Sequence, residues 1–386
     1  MFGQFNDSFK PIMDGVGVCA ENYARWLARN HGGAAVIAPS APGYEDSDEF
    51  PVLRYPSVPF PRITPYRIGV PALGFAFRSK LRSLPLALVH AHSPFIAGRV
   101  ALRVARDRGI PLVATFHTKY REDFLMVIPS KKLADLMLRK IVHFYRQASE
   151  VWAPNKKTAT TLKEYGYEGQ VIVMPNGTDL EIPSDREHAS YREEGSRLIG
   201  NHEAPLLLFV GQHRWEKNVG LIIDAAARLK SVNANFRLAF VGTGYAEGEM
   251  KKRVVAAGLG PVTHFAGLVL NREVLKAYYA RGDLFLFPSL YDNAPLVMRE
   301  AAAFRCPAVL ARGSSAAEEF SEGKNVFLTE PEPDAMASVL SRLLDQPGHI
   351  EAVGREAQKS IYIPWKGIVD TVAERYHNLI EGRPAR

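Results

Sequence analysis

Short apolar segments alternate with longer amphipathic stretches along most of this chain, and this alternation restricts the fold more than any other feature. In the first half, Cys19 to Asn30 has the spacing of a helix with one apolar face. The strand-like segments of that half are residues 34–39, 86–90, 111–117, 150–153 and 171–174. Strands that alternate with helices predict βαβ units and a parallel sheet.

The alternation starts again after a polar stretch at residues 176–205, which is rich in Glu, Arg and Ser. The second set of strand-like segments is residues 206–211, 236–242, 263–267, 284–288 and 308–311. We therefore expect two α/β domains. The predicted bounds are an N-terminal Rossmann-like domain at 1–185, a linker at 186–204, a C-terminal Rossmann-like domain at 205–361 and a C-terminal helix at 362–386. Two such domains facing each other leave a cleft at the carboxyl ends of their strands, where open α/β sheets bind ligands.

Composition narrows the class of protein. The length of 386 residues suits two domains, and 47% hydrophobic with 23% charged residues is a globular balance. Cys19 and Cys306 form no CxxC pattern, so we expect a reducing cytoplasm, with neither a disulfide framework nor a structural zinc site. The N-terminus has no signal-peptide pattern, and no apolar run reaches the length of about 18 residues that a membrane span needs.

The net charge of +7 suggests an anionic partner, which could be a phosphorylated ligand, a membrane surface or nucleic acid. A mildly basic enzyme with no special partner is the alternative. The basic residues are scattered and form no recognised nucleic-acid-binding motif, so we expect no nucleic-acid partner.

Two candidate sites follow strands of the first domain. Gly15 and Gly17 lie between the opening strand and the first helix, where glycine allows close approach to a ligand and the helix N-terminus favours anions. The third glycine of the dinucleotide fingerprint is missing, and a plain tight turn is the alternative. His117 follows a strand and could donate to a sugar hydroxyl or stabilise developing charge. It could also be a structural loop histidine, or bind a metal with His90 and His92. We expect no metal, because histidines that alternate at a strand end need none.

Two further candidates follow strands of the second domain. Arg214 and Lys217 precede a helix and could converge on two phosphates, unless this is only a solvated basic turn. Asp292 stands in a loop, and Glu300 lies about one turn into the helix that follows. Carboxylates so placed can accept hydrogen bonds from vicinal hydroxyls of ribose or hexose. An ordinary charge pair at a helix start is the alternative.

Taken in this order, the motifs resemble the retaining glycosyltransferase family 4, whose architecture is GT-B. The resemblance covers essentially the whole chain and ends on the acidic pair that the family writes as E-x7-E, here Asp292 and Glu300. It implies an α/β fold of two facing Rossmann-like domains with parallel sheets and a C-terminal helix that could cross back to the first domain. Asp292 in place of the usual Glu is the main departure, and it bears on the identity of the donor sugar.

The resemblance also implies roles for individual residues. Arg214 and Lys217 would bind the donor diphosphate, Glu300 the ribose hydroxyls, and His117 the sugar near the reacting carbon. The donor sugar would face Asp292 and the backbone of Asn293, Ala294, Pro295 and Leu296, and the base would lie against Leu268 and Val269. Gly15 and Gly17 would also line the donor site. The implied reaction is a metal-independent hexosyl transfer without a cofactor, in which the nucleotide sugar is a substrate.

The acceptor side is suggested by residues 130–147, which have a helical period. Its predicted apolar stripe is Leu133, Met137, Ile141, Phe144 and Tyr145, and basic residues nearby include Lys131, Lys132, Arg139 and Lys140. Such a helix could dock on the anionic inner face of the cell membrane, or bury its stripe as an ordinary surface helix.

We therefore expect a transferase that moves a hexose from a UDP-sugar to a hydroxyl of a membrane lipid or cell-envelope glycan. The alternatives are a catalytically inactive sugar-nucleotide sensor and a transferase that uses GDP-mannose on a soluble acceptor.

Overall fold

The computed structural model of this chain describes residues 1–12, 14–60, 66–127, 130–232 and 234–382. The chain forms two compact units. The first unit is Met1–Asn176 with Trp365–Arg386, and the second unit is Gly177–Pro364. Each unit has its own cluster of buried apolar side chains.

The first unit is built on a parallel sheet. The strands of the described part of this unit are β1 (Phe2–Phe5), β2 (Ala34–Pro39), β3 (Val52–Tyr55), β4 (Ser57–Pro59), β5 (Arg67–Gly69), β6 (Leu88–Ala91), β7 (Leu112–Thr115), β8 (Glu150–Ala153) and β9 (Val171–Val173). Among the described residues, seven of them pair in the order β3-β2-β1-β6-β7-β8-β9, while β4 and β5 form a separate antiparallel pair. Helices cover the faces of such a sheet, so its inner strands read as continuous apolar runs.

The helices before the second unit are α1 (Gly15–Asn30), α2 (Phe75–Ser83), α3 (Ile96–Arg108), α4 (Tyr120–Val127), α5 (Lys131–Tyr145) and α6 (Lys156–Glu164). Three of them begin with a side-chain cap that satisfies an amide of the first turn. The capping residues are Asp14 for α1, Ser130 for α5 and Asn155 for α6. These polar residues account for where the helices start.

The second unit repeats the architecture. Its elements are α7 (Asp185–Leu198), β10 (Leu206–Val210), α8 (Val219–Ser231), β11 (Arg237–Val241), α9 (Glu247–Ala256), β12 (Thr263–Gly267), α10 (Arg272–Arg281), β13 (Leu284–Phe287), α11 (Leu296–Ala303), β14 (Ala308–Ala311), β15 (Val326–Thr329), α12 (Pro333–Leu344) and α13 (Pro347–Ser360). The strands pair in parallel in the order β12-β11-β10-β13-β14-β15. This is the Rossmann order, as predicted.

The segment at 186–204 was predicted as a linker, but the structure places a helix there. Most of it belongs to α7, which opens with a capping box between Ser184 and Glu187. The helix packs on α10 so closely that a Cβ at Gly195 would lie 2.2 Å from the carbonyl oxygen of Ala277. The division between the units falls after Asn176 instead, because α7 belongs to the second unit.

The last helix of the described residues is α14 (Trp365–Ile380), which returns to the first unit as predicted. Its Tyr376 hydroxyl lies 2.5 Å from Nδ1 of His90 on β6. Its Arg375 guanidinium forms two hydrogen bonds with the Glu150 carboxylate on β8, at 2.8 and 3.0 Å. The first unit is therefore assembled from both ends of the sequence.

Candidate active site

In the second unit, the strand order reverses between β10 and β13, which pair side by side. Loops that leave the carboxyl ends of two such strands diverge and form the usual ligand-binding crevice of this fold. Arg214 and Lys217 lie in the loop after β10, and Asp292 lies in the loop after β13. The fold thus brings these predicted site residues to one edge of one sheet.

The loop at residues 211–218 is held by the loop that follows β11. The amide of His213 donates to the carbonyl oxygen of Thr243 at 2.9 Å. Gly242 has a positive φ of 129°, and a Cβ there would lie 2.0 Å from the carbonyl oxygen of Gly211. The glycine after β11 is therefore required for close packing of two loop backbones.

Lys217 and Asp292 are paired. The Lys217 ammonium forms an ion pair with the Asp292 carboxylate, and their side chains are 18% and 16% exposed. The hydroxyl of Ser289 donates to the other carboxylate oxygen of Asp292 at 2.6 Å, which orients the acid. Ser289 was not predicted from the sequence, where its only signal is its place three residues before Asp292.

Arg214 has a different carboxylate partner. Its Nε lies 3.5 Å from the carboxylate of Glu216, which also accepts a hydrogen bond from the Tyr245 hydroxyl at 2.5 Å. The convergence of Arg214 and Lys217 on one diphosphate stays a prediction. Both side chains remain partly exposed and lie in the same short loop, so either can exchange its carboxylate for an anion.

Glu300 is held by two residues that the sequence analysis missed. One carboxylate oxygen accepts from Arg272 at 3.0 Å and the other from the Tyr279 hydroxyl at 2.7 Å. Burial opposes the charge of Arg272, but the carboxylates of Glu300 and Asp179 raise its pKa. Burial raises the pKa of Tyr279, so its hydroxyl stays protonated and donates. Arg272 and Tyr279 are seven apart on one face of α10, which was their only sequence signal.

The helix α11 begins between the two predicted acids, with Glu300 one turn from its start. Its N-cap residue is Pro295, and within the described chain no side chain caps it by a hydrogen bond. The helix start therefore keeps a positive end and amides that can bind ligand oxygens. Asn293 is buried, whereas Ala294 and Leu296 are half-buried at the edge of this site.

The segment after β12 was predicted to contact the base. Leu268 is exposed, and Val269 packs against the apolar core of the second unit. An exposed leucine beside a half-buried valine can contact a planar base. Contact of Leu268 and Val269 with the base stays a prediction.

In the first unit, Gly15 and Gly17 lie in the first turn of α1 rather than in a turn before it. The carboxylate of Asp14 accepts from the Gly17 amide at 2.7 Å. A Cβ at Gly17 would lie 3.2 Å from that carboxylate oxygen. The Asp14 N-cap therefore explains why the helix starts at Gly15, four residues before the predicted start at Cys19. Donor contact by either glycine stays a prediction.

His117 lies just after β7, and its Nε2 is 3.2 Å from Nδ1 of His92. Burial lowers the pKa of His117 to about 3. Its imidazole is therefore neutral at pH 7 and suits hydrogen bonding with an uncharged hydroxyl. The grouping of His90 with these two histidines does not form a metal site, because the ring nitrogens of His90 contact Tyr376 and Thr115.

The helix α5 carries its charges as predicted, and its apolar stripe is confirmed except at Leu133, since Ile141, Phe144 and Tyr145 are buried and Met137 packs against the core. Lys131, Lys132, Arg139 and Lys140 are exposed. Leu133, assigned to the stripe, is 45% exposed, and Leu136 is 48% exposed. The buried face consists of Ala134, Leu138, Ile141, Val142, Phe144 and Tyr145. The helix therefore fills the core with one face and presents leucines among cations on another. No helix in the described ranges is long and apolar enough to span a membrane.

Comparison with known proteins agrees with this architecture. Residues 13–182 match the family model described as Glycosyltransferase Family 4. Residues 193–360 match the model described as Glycosyl transferases group 1. The two matches follow one another and together cover most of the chain.

Individual relatives are more distant. An alpha-monoglucosyldiacylglycerol synthase from Acholeplasma laidlawii is 24% identical over 340 residues, which are 86% of this chain and 85% of that protein. A GDP-mannose-dependent alpha-mannosyltransferase from Mycobacterium tuberculosis is 28% identical over 313 residues, which are 78% and 76% of the two chains. The structure of Anabaena HepE in complex with UDP-glucose matches with a TM-score of 0.77 at 20% identity, covering 98% of this chain and 100% of that one. With two consecutive family matches and two Rossmann-like units, this chain belongs to glycosyltransferase family 4 and is a glycosyltransferase of the GT-B type.

Proposed function

We propose that this enzyme transfers a hexose from a UDP-sugar to a hydroxyl acceptor with retention of anomeric configuration, without a metal ion or cofactor. The observation that carries the proposal is the Lys217–Asp292 pair at the reversal of strand order in the second unit. A cation there can leave its carboxylate for a diphosphate, and the released carboxylate can accept hydrogen bonds from the donor sugar. Glu300, oriented by Arg272 and Tyr279, would accept from the ribose hydroxyls.

The proposed reaction needs no side-chain nucleophile. The acceptor oxygen bonds to the anomeric carbon on the face from which the diphosphate leaves, and the bond between that carbon and the diphosphate oxygen breaks. The departing phosphate takes the acceptor proton. Arg214 and Lys217 would stabilise the negative charge that develops on the diphosphate. The neutral imidazole of His117 would hydrogen bond with a sugar hydroxyl.

The names of related proteins leave two donor classes to compare. HepE binds UDP-glucose in its structure, and the mycobacterial relative is named as GDP-mannose-dependent. We propose the UDP-sugar. UDP at about 100 times its dissociation constant should stabilise the second unit by roughly 2.7 kcal/mol. Thermal unfolding with UDP, GDP, ADP or NAD, each alone, measures this directly. A shift with NAD only would overturn the donor assignment.

A variant of Lys217 tests the mechanism. Lys217→Ala should lower kcat with a UDP-sugar about 10²- to 10³-fold, because one cation that stabilises the leaving group is lost. The matched control is Lys252→Ala in the same unit, whose side chain is 80% exposed and 3.7 Å from its carboxylate partner. Equal rates for the two variants would exclude the role of Lys217. Binding of UDP without turnover of any donor would favour the sensor function.

Retention is tested on the product. We expect the proton at the transferred anomeric carbon to show the same configuration as in the donor by NMR. The opposite configuration in the first-formed product would exclude the proposed course of the reaction.

For the acceptor, we propose a lipid at an anionic membrane surface. One exposed face of α5 presents Lys132, Arg139 and Lys140 with Leu133 and Leu136, which combines charge attraction with apolar insertion. The Acholeplasma relative is named for a glucosylated diacylglycerol, which agrees with this acceptor class.

Liposome sedimentation tests the docking face. At about 1 kcal/mol for each cation near an anionic surface, Lys132→Glu with Lys140→Glu should weaken binding to phosphatidylglycerol vesicles at least roughly 30-fold. The control makes the same charge change at Lys251 and Lys252 on α9. Equal sedimentation of both double variants would overturn the assignment of α5.

A further inference from the structure

Cys19, His92 and His117 form a compact cluster in the first unit. One ligand atom from each residue lies within 4.8 Å of the other two. Cys19 is on α1 after β1, His92 follows β6, and His117 follows β7. These strands are adjacent in the sheet, so the segments that leave their carboxyl ends converge.

We propose that this cluster is a binding site for a thiophilic divalent transition-metal ion such as Zn²⁺, with the Cys19 thiolate, Nδ1 of His92 and Nε2 of His117 as ligands. Thiolate and imidazole are the ligands that zinc prefers. The two nitrogens are 3.2 Å apart. Two nitrogens that bind one tetrahedral zinc at about 2.0–2.1 Å are separated by about 3.3 Å, so these rings need little movement.

A neighbouring amide orients the first imidazole. Nε2 of His92 is 2.8 Å from the side-chain oxygen of Gln4, which can only accept, so this nitrogen carries the proton. The lone pair of Nδ1 is then directed at His117. A ligand histidine whose other nitrogen donates to an oxygen is the usual outer-shell arrangement of zinc sites. His117 has to carry its own proton on Nδ1 to ligate through Nε2.

The protonation states of the two histidines are consistent with this site, whereas Cys19 has to lose its proton. Burial lowers the pKa of both His92 and His117, so neither imidazole has to lose a proton at pH 7. Burial raises the pKa of the Cys19 thiol, which lies 3.7 Å from the side-chain oxygen of Asn176. On binding, the bond between sulfur and hydrogen breaks, a bond between sulfur and the metal forms, and the proton goes to solvent. Three protein ligands leave a fourth position for water.

The site has a consequence for catalysis that rests on the proposed function. A metal ion on Nε2 of His117 would engage the imidazole that we assign to a hydroxyl of the donor sugar. The ion would therefore inhibit transfer rather than support it. Entry is from the side of His117, which is half-buried, while Cys19 and His92 are fully buried.

Titration with Co²⁺ tests the site without any assay of activity. The chelator-treated protein should bind one equivalent and develop the visible bands of tetrahedral cobalt, with a near-ultraviolet band from thiolate to cobalt. Cys19→Ala should lose the near-ultraviolet band, and the control Cys306→Ala, which removes the other buried cysteine, should keep it. Absence of the band from the unmodified protein, or its persistence in Cys19→Ala, would overturn the proposal. Circular dichroism confirms that each variant is folded.

A second variant separates ligation from a merely structural role. Gln4→Leu removes the side-chain amide, including the oxygen that orients His92. It should weaken competition by Zn²⁺ for the cobalt site about 10- to 100-fold. An unchanged zinc affinity would contradict the assigned orientation of His92.

The inhibitory role has its own measurement. With UDP-sugar turnover established, Zn²⁺ should lower the rate of the unmodified enzyme at the concentration that displaces Co²⁺, and should leave Cys19→Ala at its own metal-free rate. Displacement of Co²⁺ without inhibition would leave the metal site intact and overturn the role of His117. A protein that turns over no donor but binds Co²⁺ would overturn the proposed function and not the site.

Discussion

Arg375→Met removes one partner of a nearly buried ion pair that attaches the C-terminal helix to the first unit. The guanidinium holds the Glu150 carboxylate by two hydrogen bonds, and the two side chains are only 17% and 8% exposed. The indole of Trp152 donates to the same carboxylate at 2.6 Å. Without Arg375, the Glu150 carboxylate keeps the hydrogen bond from Trp152 and loses the positive charge that, among these contacts, balances its own.

Breaking a buried ion pair on one side costs about 3–5 kcal/mol. We expect about 3 kcal/mol, at the lower end of that range, because water can reach part of the arginine site. A unit of this size loses roughly 2–4 °C of Tm for each kcal/mol, so the first unit should unfold about 6–12 °C lower. Lys366→Met on the same helix removes an exposed pair with Asp370 and should change stability by less than about 0.5 kcal/mol.

Tryptophan fluorescence can report on the first unit alone. Of the four tryptophans, Trp215 is in the second unit, so a Trp215→Phe background leaves three probes that all belong to the first. In that background, Glu150→Gln added to Arg375→Met should recover at least about 1 kcal/mol, because the buried charge is gone. If Arg375→Met lowers the free energy of unfolding by less than about 1 kcal/mol, or if adding Glu150→Gln lowers it further, the reasoning is refuted.

Three further outcomes are expected in the second unit. Gly242→Ala should lower the free energy of unfolding by more than about 2 kcal/mol in chemical denaturation, because its Cβ would overlap a carbonyl oxygen at 2.0 Å. The control Gly248→Ala in α9 has open space and should be neutral or stabilising. Equal effects of the two substitutions would contradict this expectation. Burial lowers the pKa of His188 below 6.5. The contribution of His188 to stability is therefore complete above pH 6.5 and is lost as the pH falls, because the unfolded chain binds the extra proton first. An NMR titration midpoint above 6.5 would be inconsistent with this. Tyr279→Phe removes a hydrogen bond of 2.7 Å to Glu300 and should weaken UDP binding about tenfold by calorimetry, while unchanged affinity would argue against Glu300 as a ribose ligand.

Much of the sheet could be predicted from apolar runs alone. The predicted bounds coincide with those of β2, β8, β12 and β14. Parallel strands covered on both faces read as near-continuous apolar runs, which is a local signal. Strands β3 and β15 were not predicted from the sequence. β3 is half-exposed and contains Arg54, so its apolar run is interrupted.

The predicted linker shows where local patterns fail. Within α7 the only buried residue is Gly195, so the helix has no apolar period to detect. Its capping box at Ser184 and Glu187 was present in the sequence, but a cap without an apolar face predicts a start and not a packed helix. Contact with α10 decides its place.

The order of motifs was enough to predict a glycosyltransferase fold, the loops that carry Lys217 and Asp292, and the helix that carries Glu300. Their actual partners were decided by tertiary structure. Lys217 meets an acid 75 residues away, and Glu300 is held by Arg272 and Tyr279 from another helix. Apolar periodicity and capping residues indicate which face of a segment is buried and where the segment starts. The sequence alone therefore determines most of the individual helices and strands. Which distant side chains meet depends on the order of strands in the sheet, and that order exists only in the folded chain.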